Sequence, residues 1–267
     1  MRYTVIIDNM SINMNVMAEW GYSALLQSPH GSILFDTGMR GSTLASNYKA
    51  LKLPPADHIV LSHGHNDHCG GLAQAREMFP NAPIWASPKI SVKHASGPLE
   101  KPRFSGGFDL QELHLHPVNG EQEIVPGVLA FVVPVEIRDP RWIWRKDMWE
   151  TGSDGELKPD SFADDLSMLV KGDKGISLLL GCAHTGLPNI LRYVKEHFGI
   201  DQLYTVLGGM HLSPVKDDVF PEWMDALRCV AVNRWSPCHC TGFRAAAYMA
   251  RVFENVNWAG AGSKIDL

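Results

Sequence analysis

Four metal-competent side chains fall within six residues of this chain, where a short apolar run gives way to a loop. His58-Ile59-Val60-Leu61 reads as a buried strand, and His63-Gly64-His65-Asn66-Asp67-His68 follows almost directly. Imidazole nitrogens and a carboxylate oxygen are donors that zinc, manganese and iron accept. His63 and His65 stand two apart, so an extended loop turns both to one side. Asp67 and His68 open a helix, where a carboxylate also suits the positive end of the dipole. One loop can therefore offer two ligands to each of two neighbouring ions.

Two ions need further ligands. Gly181-Cys182-Ala183-His184-Thr185-Gly186 follows a buried apolar strand, and Pro237-Cys238-His239-Cys240-Thr241-Gly242 precedes a helix. Each sets a histidine at a strand end, as the first motif does. His184 is assigned to the metal of His63 and His65, and His239 to that of Asp67 and His68. Gly208-Gly209-Met210-His211 also follows a strand. With three protein ligands already at each metal, His211 is read first as a substrate contact or proton donor, with ligand or satisfied polar group as alternatives. A separate zinc at Cys238 and Cys240 would need four protein ligands, so these cysteines are read as neighbours of a ligand. His30, His58, His94, His114, His116 and His197 receive no role.

Strands are expected at Tyr3–Asp8, Tyr22–Gln27 and Ser32–Asp36, then a helix over 42–51, the strand before the metal loop and a helix from Leu72 to Phe79. After an irregular insert at about 88–160 the theme recurs. Strands are expected at Ser167–Val170, Gly175–Gly181 and Gln202–Leu207, with helices at Leu187–Phe198, 221–232 and 242–253. Two rounds of strands followed by helices fit an α+β fold, a four-layered αββα sandwich in one domain, 1–267. The insert carries Trp142, Trp144 and Trp149 beside Arg138, Arg141 and Arg145, a group suited either to cover a flat anionic substrate or to pack a lid.

The pattern H-x-H-x-D-H, with Ser62 and Cys69-Gly70-Gly71-Leu72 around it, resembles the signature of the metallo-β-lactamase superfamily. Leu34-Phe35-Asp36-Thr37-Gly38, Asp8-Asn9, Glu19-x-Gly21, Asp164-Asp165 and the Cys-His-Cys-Thr-Gly run extend the likeness. They resemble the branch containing the dihydropterin-ribofuranosylaminobenzene phosphate synthases. The resemblance implies metals at one edge between two sheets, and an Asp36 that supports a ligand from beneath the metal loop rather than merely ending a strand. It also places Cys182 where most of the superfamily has a metal-bridging aspartate. Here either water or hydroxide alone bridges, with Cys182 a small packing residue, or Cys182 contributes its sulfur. Trp20 stands where the branch often has a histidine.

The expected activity is that of a binuclear hydrolase working through a metal-bound hydroxide, with Asp67 as ligand and orienter and two divalent ions, zinc first, manganese or iron otherwise. The expected substrate is a small phosphorylated or otherwise anionic metabolite. The alternative implied by the resemblance is a transferase that condenses a dihydropterin diphosphate with a ribofuranosylaminobenzene phosphate. A net charge of −5 argues against nucleic acid, which favours a basic surface. No run is long enough to span a membrane. The five cysteines suggest no disulfide framework, and the cytoplasm is the expected compartment.

Overall fold

A computed structural model describes residues 1–267. Its first large sheet has seven strands in the order Lys264–Asp266, Arg2–Ile7, Ser23–Ser28, Gly31–Phe35, His58–Val60, Ile84–Ala86, Leu115–Pro117. The second has six, in the order Ala231–Cys238, Gln202–Gly209, Gly175–Leu180, Leu166–Gly172, Val128–Val132, Glu121–Val125. Side chains alternate across a strand, so a strand buried on both faces reads as a continuous apolar run. Ile33 and Phe35 enter the core between the sheets, while Leu34 enters the core on the outer face. Leu179 and its neighbours Leu178 and Leu180 divide in the same way.

Three apolar clusters mark the three interfaces of a four-layered sandwich. The middle one joins the sheets through residues such as Tyr3, Phe35, Met168 and Leu207. A second lies between the first sheet and the helices Gly41–Ala50 and Leu72–Met78. The third packs Leu187–Phe198, Phe220–Ala226 and Phe243–Val252 on the second sheet. The helix Leu187–Phe198 has Pro188 in its first turn and ends at Gly199, whose φ of 67° a residue with a Cβ adopts only at a cost. The αββα architecture read from the sequence is the one observed.

Some elements differ from expectation. The helix predicted over 221–232 stops at Ala226, and a strand begins at Ala231. Ala231 and Val232 pair in parallel with Gln202 and Leu203, and this long-range pairing overrides local helical pattern. Within the insert Leu113 ends a short helix, and His114 turns the chain at φ 51°. Residues 88–160 contribute strands to both large sheets. They also supply the whole of a small third sheet, in the order Leu157–Pro159, Met148–Thr151, Lys93–Ser96, Arg103–Gly106.

The arginines and tryptophans of that stretch are largely committed to structure. Arg138 is buried and donates to the carbonyls of Val133, Ser161 and Phe162. Arg141 pairs with Asp139 at 2.6 Å. Trp142 packs edge-on against Trp223, and Trp149 Nε1 donates to Gly97 O. No helix is long and apolar enough to cross a membrane.

Candidate metal centre

Strands Gly175–Leu180, Gln202–Gly209 and Ala231–Cys238 are parallel neighbours, so their C-terminal ends lie side by side. Those ends deliver His184, His211 and His239. Gly31–Phe35 and His58–Val60, also parallel, deliver Asp36 and the His63–His68 loop from the other sheet. The backbone turns sharply at these ends. Asp36, Ala183, His211 and His239 all have φ between 48° and 59°, a conformation that costs a non-glycine residue about 1–2 kcal/mol. Such strain concentrates where side chains must be aimed.

One buried carboxylate organises much of the site. Asp36 accepts from Ser62 N at 2.7 Å and from Ser62 Oγ at 2.7 Å. With its proton given to Asp36, Ser62 Oγ accepts from His63 Nδ1 at 2.8 Å, which leaves His63 Nε2 free as a donor atom. Asp36 also accepts from His68 Nδ1 at 2.6 Å and frees His68 Nε2 likewise. A side chain at Gly181 would collide with Ser62, so the glycine is what lets this network close up against the neighbouring strand. On the far side, His239 Nδ1 donates to Asn9 Oδ1 at 3.0 Å and turns Nε2 inward.

The freed nitrogens converge. His63 Nε2 lies 3.1 Å from His65 Nδ1, and His68 Nε2 lies 3.1 Å from His239 Nε2. Asp67 Oδ2 is 3.4 Å from His239 Nε2. His184 stacks on Phe162 with ring centres 4.5 Å apart, and its ring is 4.8 Å from that of His63. Neither ring nitrogen of His184 has a partner, although the residue is only 3% exposed, and His65 Nε2 is buried without one as well. An unpaired buried polar atom costs about 1–3 kcal/mol, so nitrogens left open in this way fit a bound cation. Their protonation agrees. Burial and the neighbouring imidazoles hold His63 and His184 well below the ordinary range and bring His65 down to about 3, so all three are neutral donors. Burial pushes the Asp67 carboxyl up, but His239 and His68 outweigh it and keep Asp67 ionised. Burial works against a proton on His239, yet Asp67 and Cys240 raise its affinity to about 9, so a cation there competes with a proton.

The six residues assigned as ligands from the sequence lie close together, His63 beside His65 and His184, and His239 beside Asp67 and His68. His211 stands beside them, its ring centre 4.3 Å from that of His184. The donor set and its burial fit divalent ions.

Among the supporting residues, His94 and Asp160 gave no cue in the sequence, whereas Asn9, Asp164 and Asp165 entered it only as parts of the family likeness. Asn9 orients His239. His94 is 2% exposed and lies between two carboxylates, Nδ1 2.7 Å from Asp160 and Nε2 3.0 Å from Asp164. Burial disfavours its charge, but the carboxylates prevail and raise it to about 10. Burial pushes Asp164 up and the His94 charge outweighs it, so this carboxyl is held down. Asp164 in turn accepts from Gly64 N at 2.7 Å, inside the metal loop, where a Cβ would crowd the His94 ring. Asp165 accepts from Thr185 N at 2.7 Å and steadies the turn that carries His184.

The metallo-β-lactamase superfamily profile matches residues 21–137. An uncharacterised protein of Methanocaldococcus jannaschii is 29% identical over 93% of each chain. From the same organism, 7,8-dihydropterin-6-methyl-4-(beta-D-ribofuranosyl)-aminobenzene-5'-phosphate synthase is 28% identical over 94% of this chain and 91% of its own. The crystal structure of Tm1679, a metal-dependent hydrolase of the beta-lactamase superfamily, superposes with a TM-score of 0.85. It is 27% identical and covers 100% of this chain and 98% of its own. The chain therefore has the metallo-β-lactamase fold, matches that superfamily's profile over residues 21–137, and is similar over most of its length to the dihydropterin-ribofuranosylaminobenzene phosphate synthase.

Proposed function

We propose that this protein is a two-metal hydrolase acting on a small anionic metabolite, a phosphate ester or a related compound. The observation that carries this reading is that members of both donor sets border one cavity of about 570 Å³. His65, Asp67, His184 and His239 line it together with Trp20, Arg103 and Phe104. When bound, two divalent ions (zinc, manganese or iron) would acidify a water molecule and polarise the bond to be cleaved. Ionised Asp67 would accept a hydrogen bond from the attacking water and orient it. Arg103 takes part in none of the chain's ion pairs, which suits it to grip an anion entering the cavity. Similarity to a metal-dependent hydrolase supports the hydrolytic reading. Similarity to a synthase keeps a second one open, condensation of a dihydropterin diphosphate with a ribofuranosylaminobenzene phosphate, for which the same cavity and cage would serve.

Elemental analysis of purified, metal-replete protein is expected to find about two ions per chain, one for each donor set. A single tightly held ion would contradict the two-metal reading. A screen of phosphoesters, lactones and thioesters then identifies the bond that is cleaved. Pyrophosphate release that requires both pterin diphosphate and the aminobenzene partner would select the synthase. With any anionic substrate so found, Arg103→Gln is expected to raise KM by about 10–100-fold, the worth of a charge-assisted hydrogen bond, with kcat little changed.

His211 has a buried, unpartnered Nδ1 and borders the cavity. As a proton donor or substrate contact, His211→Ala is expected to keep its metal and lose about a hundredfold or more in turnover. Metal content and rate measured on one preparation decide the matter. Loss of an ion would make His211 a ligand, and full activity with full metal would return it to packing.

A further inference from the structure

Cys182 is the one residue common to both halves of the site. Its sulfur forms one donor group with His63 and His184 and another with His68 and His239, the ligand atoms of each group lying within 4.8 Å of one another. The Sγ is 3.0 Å from His68 Nε2. Of the other buried thiols, Cys240 lies beside Cys182 and His211 at the cavity edge, and two face elsewhere. Cys69 Sγ donates to the carbonyls of His63 and His65, and Cys238 packs in the apolar core between the sheets. A cysteine kept only for packing would face carbon, whereas Cys182 faces imidazole nitrogens. Beside it the 3%-exposed His184 ring has both nitrogens unpartnered, an independent sign that something else is held there.

Resting on the two-metal reading of the cage, we propose that Cys182 is itself a ligand, a thiolate shared between the two metal ions. On coordination the thiol gives up its proton to solvent, because a metal-bound thiol is deprotonated. The donor set then becomes imidazoles, one carboxylate and one bridging sulfur. Sulfur favours thiophilic ions, so the centre would hold zinc, cobalt or iron in preference to manganese or magnesium.

Cobalt(II) titration of metal-stripped protein tests this without reference to turnover. The parent protein is expected to take about two equivalents of cobalt and develop an intense near-ultraviolet sulfur-to-cobalt charge-transfer band. Cys182→Ser should abolish the band, while Cys240→Ser should keep it. Cys182→Asp, which puts a carboxylate at the same place, should still take two cobalt ions without the band. Bound cobalt should also shield Cys182 of the unaltered protein from alkylation by iodoacetamide, as read by peptide mass mapping, which needs no variant to fold. Two bound cobalt ions with no band, or a band that survives Cys182→Ser, overturns the thiolate and leaves the cage intact. A parent that binds no cobalt overturns the cage, and the thiolate with it.

Discussion

Exchange of Asp67 for alanine is expected to lower turnover by about 10²–10⁴-fold, the range for a positioned acid–base group. It should leave the ion on His63, His65 and His184 in place. The carboxylate sits 3.4 Å from His239 Nε2, in the other half of the cage, and borders the cavity where an attacking water would be held. The first donor set keeps its three imidazoles in the variant, and His63 remains oriented through Ser62 and Asp36. Metal content and kcat determined on the same preparation give the comparison. Equal loss of both ions would show that the two halves are not separable in the way drawn.

His94→Ala should have the largest effect on stability, a loss of about 3–5 kcal/mol, the usual result of removing one partner from a buried ion pair. Asp160 and Asp164 would be left facing each other's charge with side chains at most 2% exposed and the cation between them gone. Urea unfolding of parent and variant measures the difference. Asp160→Asn combined with His94→Ala removes one of the stranded charges and should recover part of the loss. Destabilisation below about 1 kcal/mol would mean that water replaces the imidazole without penalty. Because Asp164 also holds Gly64 N, the variant should loosen the metal loop as well.

What could be read from the sequence depended on how far apart the interacting residues stand. His63, His65, Asp67 and His68 are local, and their spacing alone placed them on one loop. His184 and His239 were legible because each follows a strand that its apolar residues announce. Asp36 was found through family resemblance, but its contact with both His63, by way of Ser62, and His68 was not visible in the residues. Asn9 is separated from His239 by 230 positions, and His94 from Asp160 and Asp164 by 66 and 70. No periodicity reports such pairings, so a buried, carboxylate-paired histidine in the segment Val92-Lys93-His94-Ala95 looked like any polar strand residue. The helix overextended past Ala226 failed for a related reason, since pairing with Gln202–Gly209 decides the conformation of Ala231 and Val232.

The small four-stranded sheet contributes no residue to any of the three apolar clusters. It supplies Ser96, Arg103, Phe104, Ser105 and Met148 to the cavity wall, and His94 pins it to the body of the protein by charge. Much of the cavity wall and the apolar packing are therefore written in different parts of the chain. In evolutionary terms the wall is free to drift: an exchange at Arg103 or Phe104 alters what the cavity admits, yet removes nothing from the packing that keeps the ligands in register. A lineage built on this scaffold can reshape the cavity wall while the layered core stays fixed.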